Sequence, residues 1–123
     1  MVTEFAKEMI KNADSCGAQD IYVIPRQDNY ELYMRVGQER RLIDVYRPDF
    51  MDSLIGHFKF EAGMMVGEKR RSQLGSCDND CGCGTLVSLS LSTVGDYRGL
   101  EISVFRFLHS ERRVFLYWNP GVQ

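Results

Sequence analysis

The sequence has 123 residues, 44% apolar and 26% charged, with 15 lysines and arginines against 17 aspartates and glutamates and a formal net charge of −2. A chain of this size buries roughly two-thirds of the surface it exposes when unfolded, so one domain with one real core is feasible, and the composition argues against disorder. With a pI near 5.7 there is no global attraction to a polyanion, so a nucleic-acid role would need a local basic patch.

The opening residues, Met1 to Glu8, carry acids early and lack the apolar run of a secretory signal, which sets the expectation of a cytoplasmic protein. No stretch approaches the ~18 consecutive apolar residues of a membrane span; the nearest is the glycine-interrupted segment from Phe60 to Gly67. Over residues 3–16, Phe5, Met9, Ile10 and Ala13 share one helical face, and Gly17 follows where a left-handed cap belongs. Ile21 to Ile24 and Tyr30 to Val36 then read as strands. A third run, Arg41 to Tyr46, sets Leu42, Asp44 and Tyr46 on one face against Arg41, Ile43 and Val45 on the other. Pro48 starts a second helix over 48–60, with Met51, Leu54, Ile55 and Phe58 on one face. After a glycine-rich basic segment and a cysteine-bearing loop come two more β-rich runs, Leu86 to Thr93 and Leu100 to Leu108. The tail from Val114 to Trp118 adds a strand or begins a linker. This order predicts an α+β domain with a mainly antiparallel sheet and helices packed on one side.

No complete catalytic constellation is present: the chain has no G-x-x-x-x-G-K-[ST], G-x-S-x-G, H-E-x-x-H or G-x-G-x-x-G. Val66-Gly67-Glu68-Lys69 is only a superficial echo of a phosphate loop. Four cysteines, three of them between Cys77 and Cys83, are too few and too clumped for a secreted disulfide scaffold, so reduced thiols are expected. Cys77, Cys81 and Cys83 lack the paired C-x-x-C spacing of a zinc knuckle, and Cys16 would have to complete the set from far away. The segment therefore reads as a metal-free, solvent-facing Gly- and Asx-rich turn between two strands. Asp78 and Asp80 lack the glycine and distal glutamate of an EF-hand. His57 and His109 are the only histidines, and neither is placed as a base beside a cysteine. Lys69, Arg70 and Arg71 form a cationic run that is either a solvated face or a surface for phosphate or an acidic partner.

Taken in order, these segments resemble the traffic ATPases of type II secretion, type IV pili and the related DNA-uptake pseudopilus. Ala18-Gln19-Asp20-Ile21-Tyr22-Val23-Ile24-Pro25 is similar to the family's A-S-D-I-H-I-E-P strand, and Met34-Arg35-Val36-Gly37 to its R-[IV]-D-G hairpin. The run from His57 to Met64, followed by Gly67 to Gln73, resembles R-I-K-x-M-A-G-x-x-x-x-E-K-R-x-P-Q-D-G-R, with Ser72, Leu74 and Ser76 departing from it. Leu89 to Thr93, Gly99-Leu100-Glu101 and Val104 to Leu108 follow R-V-S-T, G-E and V-[LM]-R-x-L. The likeness covers residues 14–109 and is most similar in wording to the competence branch of Gram-positive bacteria.

The resemblance implies a PAS-like N-terminal domain over residues 1–110, with 111–123 leading toward a RecA-like motor domain. It implies no catalytic residue and no metal ligand in this chain. ATP and magnesium would be bound by the longer protein, a hexamer at the inner face of the cell membrane. Its partners would be the motor domains of the same and neighbouring subunits and an inner-membrane platform protein, without direct contact to nucleic acid. Two family arginines reach the nucleotide phosphates. Arg106 matches one; Ser90 stands where the other belongs, and Arg98 in the following turn is a candidate substitute. The rival reading is a stand-alone PAS-like sensor or ligand-binding module, which would need an internal cavity with convergent polar groups.

Overall fold

Ala6, Met9, Ile10 and Ala13 recur every three or four residues, and in the computed structural model they form the buried stripe of helix α1, Val2–Ser15. The structure describes residues 1–80 and 86–108. Gly17, at φ 72°, turns the chain out of the helix in a left-handed conformation that its missing side chain permits. Strands β1 (Asp20–Pro25), β2 (Tyr30–Val36) and β3 (Glu39–Tyr46) follow as a meander, and α2 (Pro48–Glu61) starts with a proline in its first turn. Strands β4 (Gln73–Asp80), β5 (Leu86–Gly95) and β6 (Glu101–Phe107) follow and are the remaining elements among the described residues.

All six strands form one sheet in the order β3-β2-β1-β6-β5-β4, and every neighbouring pair is antiparallel. The expected α+β class is therefore observed. Strand alternation separates the two faces of the sheet. Ile21, Val23, Leu32, Met34, Leu89, Leu91, Phe105 and Phe107 turn toward the helices and join their apolar stripes in one core. Phe58 of α2 meets Phe105 of β6 edge-on with ring centroids 4.8 Å apart, while Phe5, Tyr46 and Phe50 close the corner between α1, α2 and β3. The opposite face carries Tyr22, Tyr33, Arg35, Ser90, Ser92, Val104 and Arg106, and no described helix covers it.

Two expectations are corrected. The stretch read as basic segment and cysteine loop contains β4, which pairs along all of its eight residues with β5. Gly75, Ser76, Asp78, Asn79 and Asp80 are poor strand formers, and β4 is held by the regular Leu/Val row of its neighbour. Cys77 is thus a strand residue that turns half-buried toward the core, where burial pushes its thiol pKa up, and it is not part of a solvent-facing turn. Cys81, Cys83, His109 and the proposed linker from 111 lie outside the described residues. The single alternation expected for β3 also fails. Its register against β2 shifts between Leu32 and Tyr33, so Leu32 pairs with Asp44 and Tyr33 with Leu42. Ile43 is the extra residue of a bulge, which places Leu42 and Tyr46 on opposite faces.

One buried charge ties these elements together. Lys59 sits four residues after Ile55 and eight after Met51, on the apolar stripe of α2, with none of its side chain exposed. Its three ammonium donors reach Glu101 Oε2 at 2.8 Å, the Glu68 carbonyl at 2.8 Å and the Val66 carbonyl at 3.4 Å. The pair joins α2, the 62–72 loop and the start of β6. Removing one partner of such a pair leaves an uncompensated buried charge and costs about 3–5 kcal/mol. Lys59→Met should lower unfolding free energy by that amount in urea titrations, and Lys59→Met combined with Glu101→Leu should recover part of the loss. Equal stability of the single variant and the wild type would show that the pair is not buried as described.

Candidate anion-binding face

The strand register assembles a single row across the helix-free face. Arg40 of β3 pairs with Arg35 of β2, Arg35 with Asp20 of β1, and Asp20 with Arg106 of β6. Arg106 in turn pairs with Ser90 of β5, and Ser90 with Ser76 of β4. Directly paired residues on neighbouring strands share a face, so the six side chains lie side by side. The next row, two residues along, runs Tyr33, Tyr22, Val104, Ser92 and Leu74.

Asp20 is the pivot of the first row. Its side chain has no exposed surface; Oδ1 accepts from Arg106 Nε at 3.1 Å and Oδ2 from Arg35 Nε at 2.7 Å, with the Tyr22 hydroxyl at 3.4 Å. Arg35 Nη1 donates to the Gly37 carbonyl at 2.7 Å, which ties the guanidinium to the β2–β3 turn. Arg106 is held only through Nε among the described residues, and 64% of its side chain is exposed. Its two terminal amino groups are therefore available to a ligand. Arg40 lies over the Tyr22 and Tyr33 rings, 5.6 and 5.4 Å from their centroids. Two guanidiniums, those of Arg35 and Arg106, thus share one carboxylate with a third, Arg40, nearby in the row, a fixed excess of positive charge. Beside Arg106 is a shallow hollow lined by Leu74, Ser90, Ser92 and Val104. Planar guanidinium forks and serine hydroxyls match the oxygens of a phosphate or carboxylate. Both oxygens of Asp20 are engaged, so the row can bind and orient an oxyanion but offers no free base.

The structure brings together Arg106 and Ser90 but separates Arg98 from both. Arg98 lies in the β5–β6 turn, where it pairs with Asp96 at 3.1 Å and donates to the Arg26 carbonyl at 2.7 Å. It stitches that turn to the β1–β2 turn. Arg106 is at the far end of β6, five residues beyond the hairpin-closing Glu101, or about 17 Å along a strand. The cationic run is held by its backbone: Gln73 bonds Met65 and Glu68, and a side-chain carbon on Gly95 would approach the Lys69 carbonyl to 2.1 Å. The Glu68 carboxylate accepts the Arg70 amide, which holds its pKa below the usual range, and the side chains of Arg70 and Arg71 are exposed. His57 stacks edge-on against Phe58 at 5.2 Å. Among the described residues no group of three histidine, cysteine, aspartate or glutamate side chains could hold a metal ion. Sequence reasoning missed Asp20 and Arg35 as site residues. An acid directly before Ile21-Tyr22-Val23-Ile24 was the available signal, but only the pairing register shows what it meets.

Fold and face together define a six-stranded α+β module with a cationic sheet surface and no phosphate loop in its sequence. No family model matches the chain. It is 54% identical over all 123 residues to the competence protein ComGA of Streptococcus pneumoniae, and 31% identical over 75 residues to the competence protein ComGA of Bacillus subtilis. The alignments take in 100% and 61% of this chain but 39% and 21% of those relatives, so the chain spans about two-fifths of the length of the first. The similarity to the pneumococcal ComGA runs along the whole length of this chain.

Two outcomes follow from this geometry. Ser90 is half-buried on the helix-free face opposite Arg106, so Ser90→Arg should fold and cost less than about 1 kcal/mol, the usual scale of a like-charge cross-strand pair. Loss of the cooperative unfolding transition would mean that Ser90 points into the core. In a Cys81→Ser/Cys83→Ser background, exposed Cys16 should react with a thiol reagent at pH 8 before Cys77, whose thiol is half-buried and harder to ionise. Equal labelling rates would place Cys77 in solvent.

Proposed function

We propose that this chain serves DNA uptake as the non-motor, PAS-like domain of a hexameric competence ATPase, coupling ATP hydrolysis in a separate motor domain to assembly of the pseudopilus. The observation that carries this reading is the 54% identity to a competence protein along the entire chain. Several features of the chain support it. Its 123 residues contain no phosphate loop, so hydrolysis falls to another part of the protein. Among the described residues Arg106 has unused donors and no helix covers its face, which suits a phosphate edge approached by a second domain. Phe58, Phe105, Met51 and Ile10 pack the centre of the core, and the hollows at its margins, one between α1 and strands β2 and β3 and one between α1, α2 and the ends of β4 and β5, open to solvent, which favours an accessory domain over a sensor with an enclosed cavity. The domain works in the cytoplasm at the inner membrane face, against motor domains of its own and neighbouring subunits and a membrane platform protein.

The chain alone should show no ATP turnover. In the longer protein, Arg106→Ala removes a charge-assisted contact worth about 1.5–3 kcal/mol, so hydrolysis should slow roughly ten- to hundredfold if the contact is made in the transition state. An unchanged rate in a folded Arg106→Ala protein would remove Arg106 from the site.

A further inference from the structure

The row on the open face holds a second arginine that the reading of Arg106 leaves without a task. We infer that Arg35 is the partner cation of Arg106 in holding the phosphate chain of a nucleotide, with Asp20 as the positioning residue that sets the two guanidiniums side by side. This inference rests on the phosphate-edge reading of Arg106 and extends it to the opposite flank.

Geometry separates Arg35 from the other cations of the chain. A phosphate chain needs more than one charged fork within its own length. Opposite Arg106 on β5 stands Ser90, whose hydroxyl is a neutral donor. On the other flank, β2 lies two strand spacings from β6, about 10 Å at the backbone, and long guanidinium side chains span that gap. They do so here: Arg35 and Arg106 reach the two oxygens of one carboxylate, so their charged groups sit next to each other. Arg40 is one strand further away and rests on the Tyr22 and Tyr33 rings, while Arg98 is at the other end of β6.

The charge balance points the same way. A buried carboxylate is neutralised by one guanidinium, yet Asp20 takes two, which leaves a fixed net positive charge at a surface position. Arg35 commits Nε and Nη2 to Asp20 and Nη1 to the Gly37 carbonyl, so each of its terminal nitrogens retains one N–H for a ligand, and 31% of its side chain is exposed. Arg106 retains all four terminal N–H donors among the described residues. Two arginines locked by one acid lose little side-chain freedom when a phosphate arrives, which is the advantage of a preorganised site.

The test is titration of the chain with inorganic tripolyphosphate at low salt, followed by calorimetry or amide shifts. Asp20→Asn/Arg35→Gln removes the cation together with the acid it neutralises, keeping the net charge and avoiding an unpaired buried carboxylate. It should weaken binding about three- to tenfold, as should Arg106→Ala. Arg35→Lys preserves charge and ion pair but loses the fork, and should weaken binding less. If Arg106→Ala weakens binding while the double variant and Arg35→Lys bind like wild type, Arg35 only neutralises Asp20; the inference falls and the phosphate-edge reading stands. If neither Arg106→Ala nor the double variant has an effect, or wild type does not bind, both fall.

Discussion

An ammonium group with no exposed surface, satisfied by one carboxylate and two backbone carbonyls, fixes where β6 begins. Lys59 belongs to α2, Glu101 opens β6, and the Val66 and Glu68 carbonyls belong to the loop between α2 and β4. Burying two charges is costly, so this arrangement tolerates little displacement. With Glu101 fixed opposite Gly95, the antiparallel ladder brings Arg106 opposite Ser90 on one side and Asp20 on the other. A shift of β6 by one residue would turn Arg106 into the core and Phe105 out of it. The cationic row therefore depends on an ion pair at the opposite end of the same strand.

The two faces of the sheet divide the work. One is committed to two helices and an apolar core. The other keeps a row of arginines and serines beside aromatic and aliphatic neighbours, half-open to solvent. Such a face can hold an oxyanion and present it to another domain, which is the role the proposed competence motor would require. Electrostatic excess and prearranged donors, without a nucleophile or free base, suit a contributor to a phosphate site whose chemistry lies elsewhere.

Much of the fold was legible in the sequence because its core faces are regular. The stripe from Phe5 to Ala13, the alternation of Tyr30 to Val36 and the rows in β5 and β6 each follow the period of their element. The exceptions are segments whose structure comes from their neighbours. Strand β4 is polar and glycine-bearing and exists through its pairing with β5; the bulge at Ile43 answers the mismatch between β2 and β3. Lys59 lies on a predicted apolar stripe, but nothing within α2 announces a glutamate 42 residues away. Of the site, Arg106 and its neighbour Ser90 were visible through motif resemblance, which carried Arg98 along as a candidate. The Asp20–Arg35 half was hidden because it exists only as cross-strand register, and Arg98 proved to serve turn-to-turn contacts.

The proposed contact between the open sheet face and nucleotide is open to a direct test in the longer protein. Ser90→Cys places a thiol beside Arg106, and maleimide labelling at that position can be followed with and without a non-hydrolysable ATP analogue and magnesium. Protection of position 90 by nucleotide, with exposed Cys16 labelled equally in both conditions, is the result this account predicts. Unchanged labelling at position 90 under saturating nucleotide would contradict it.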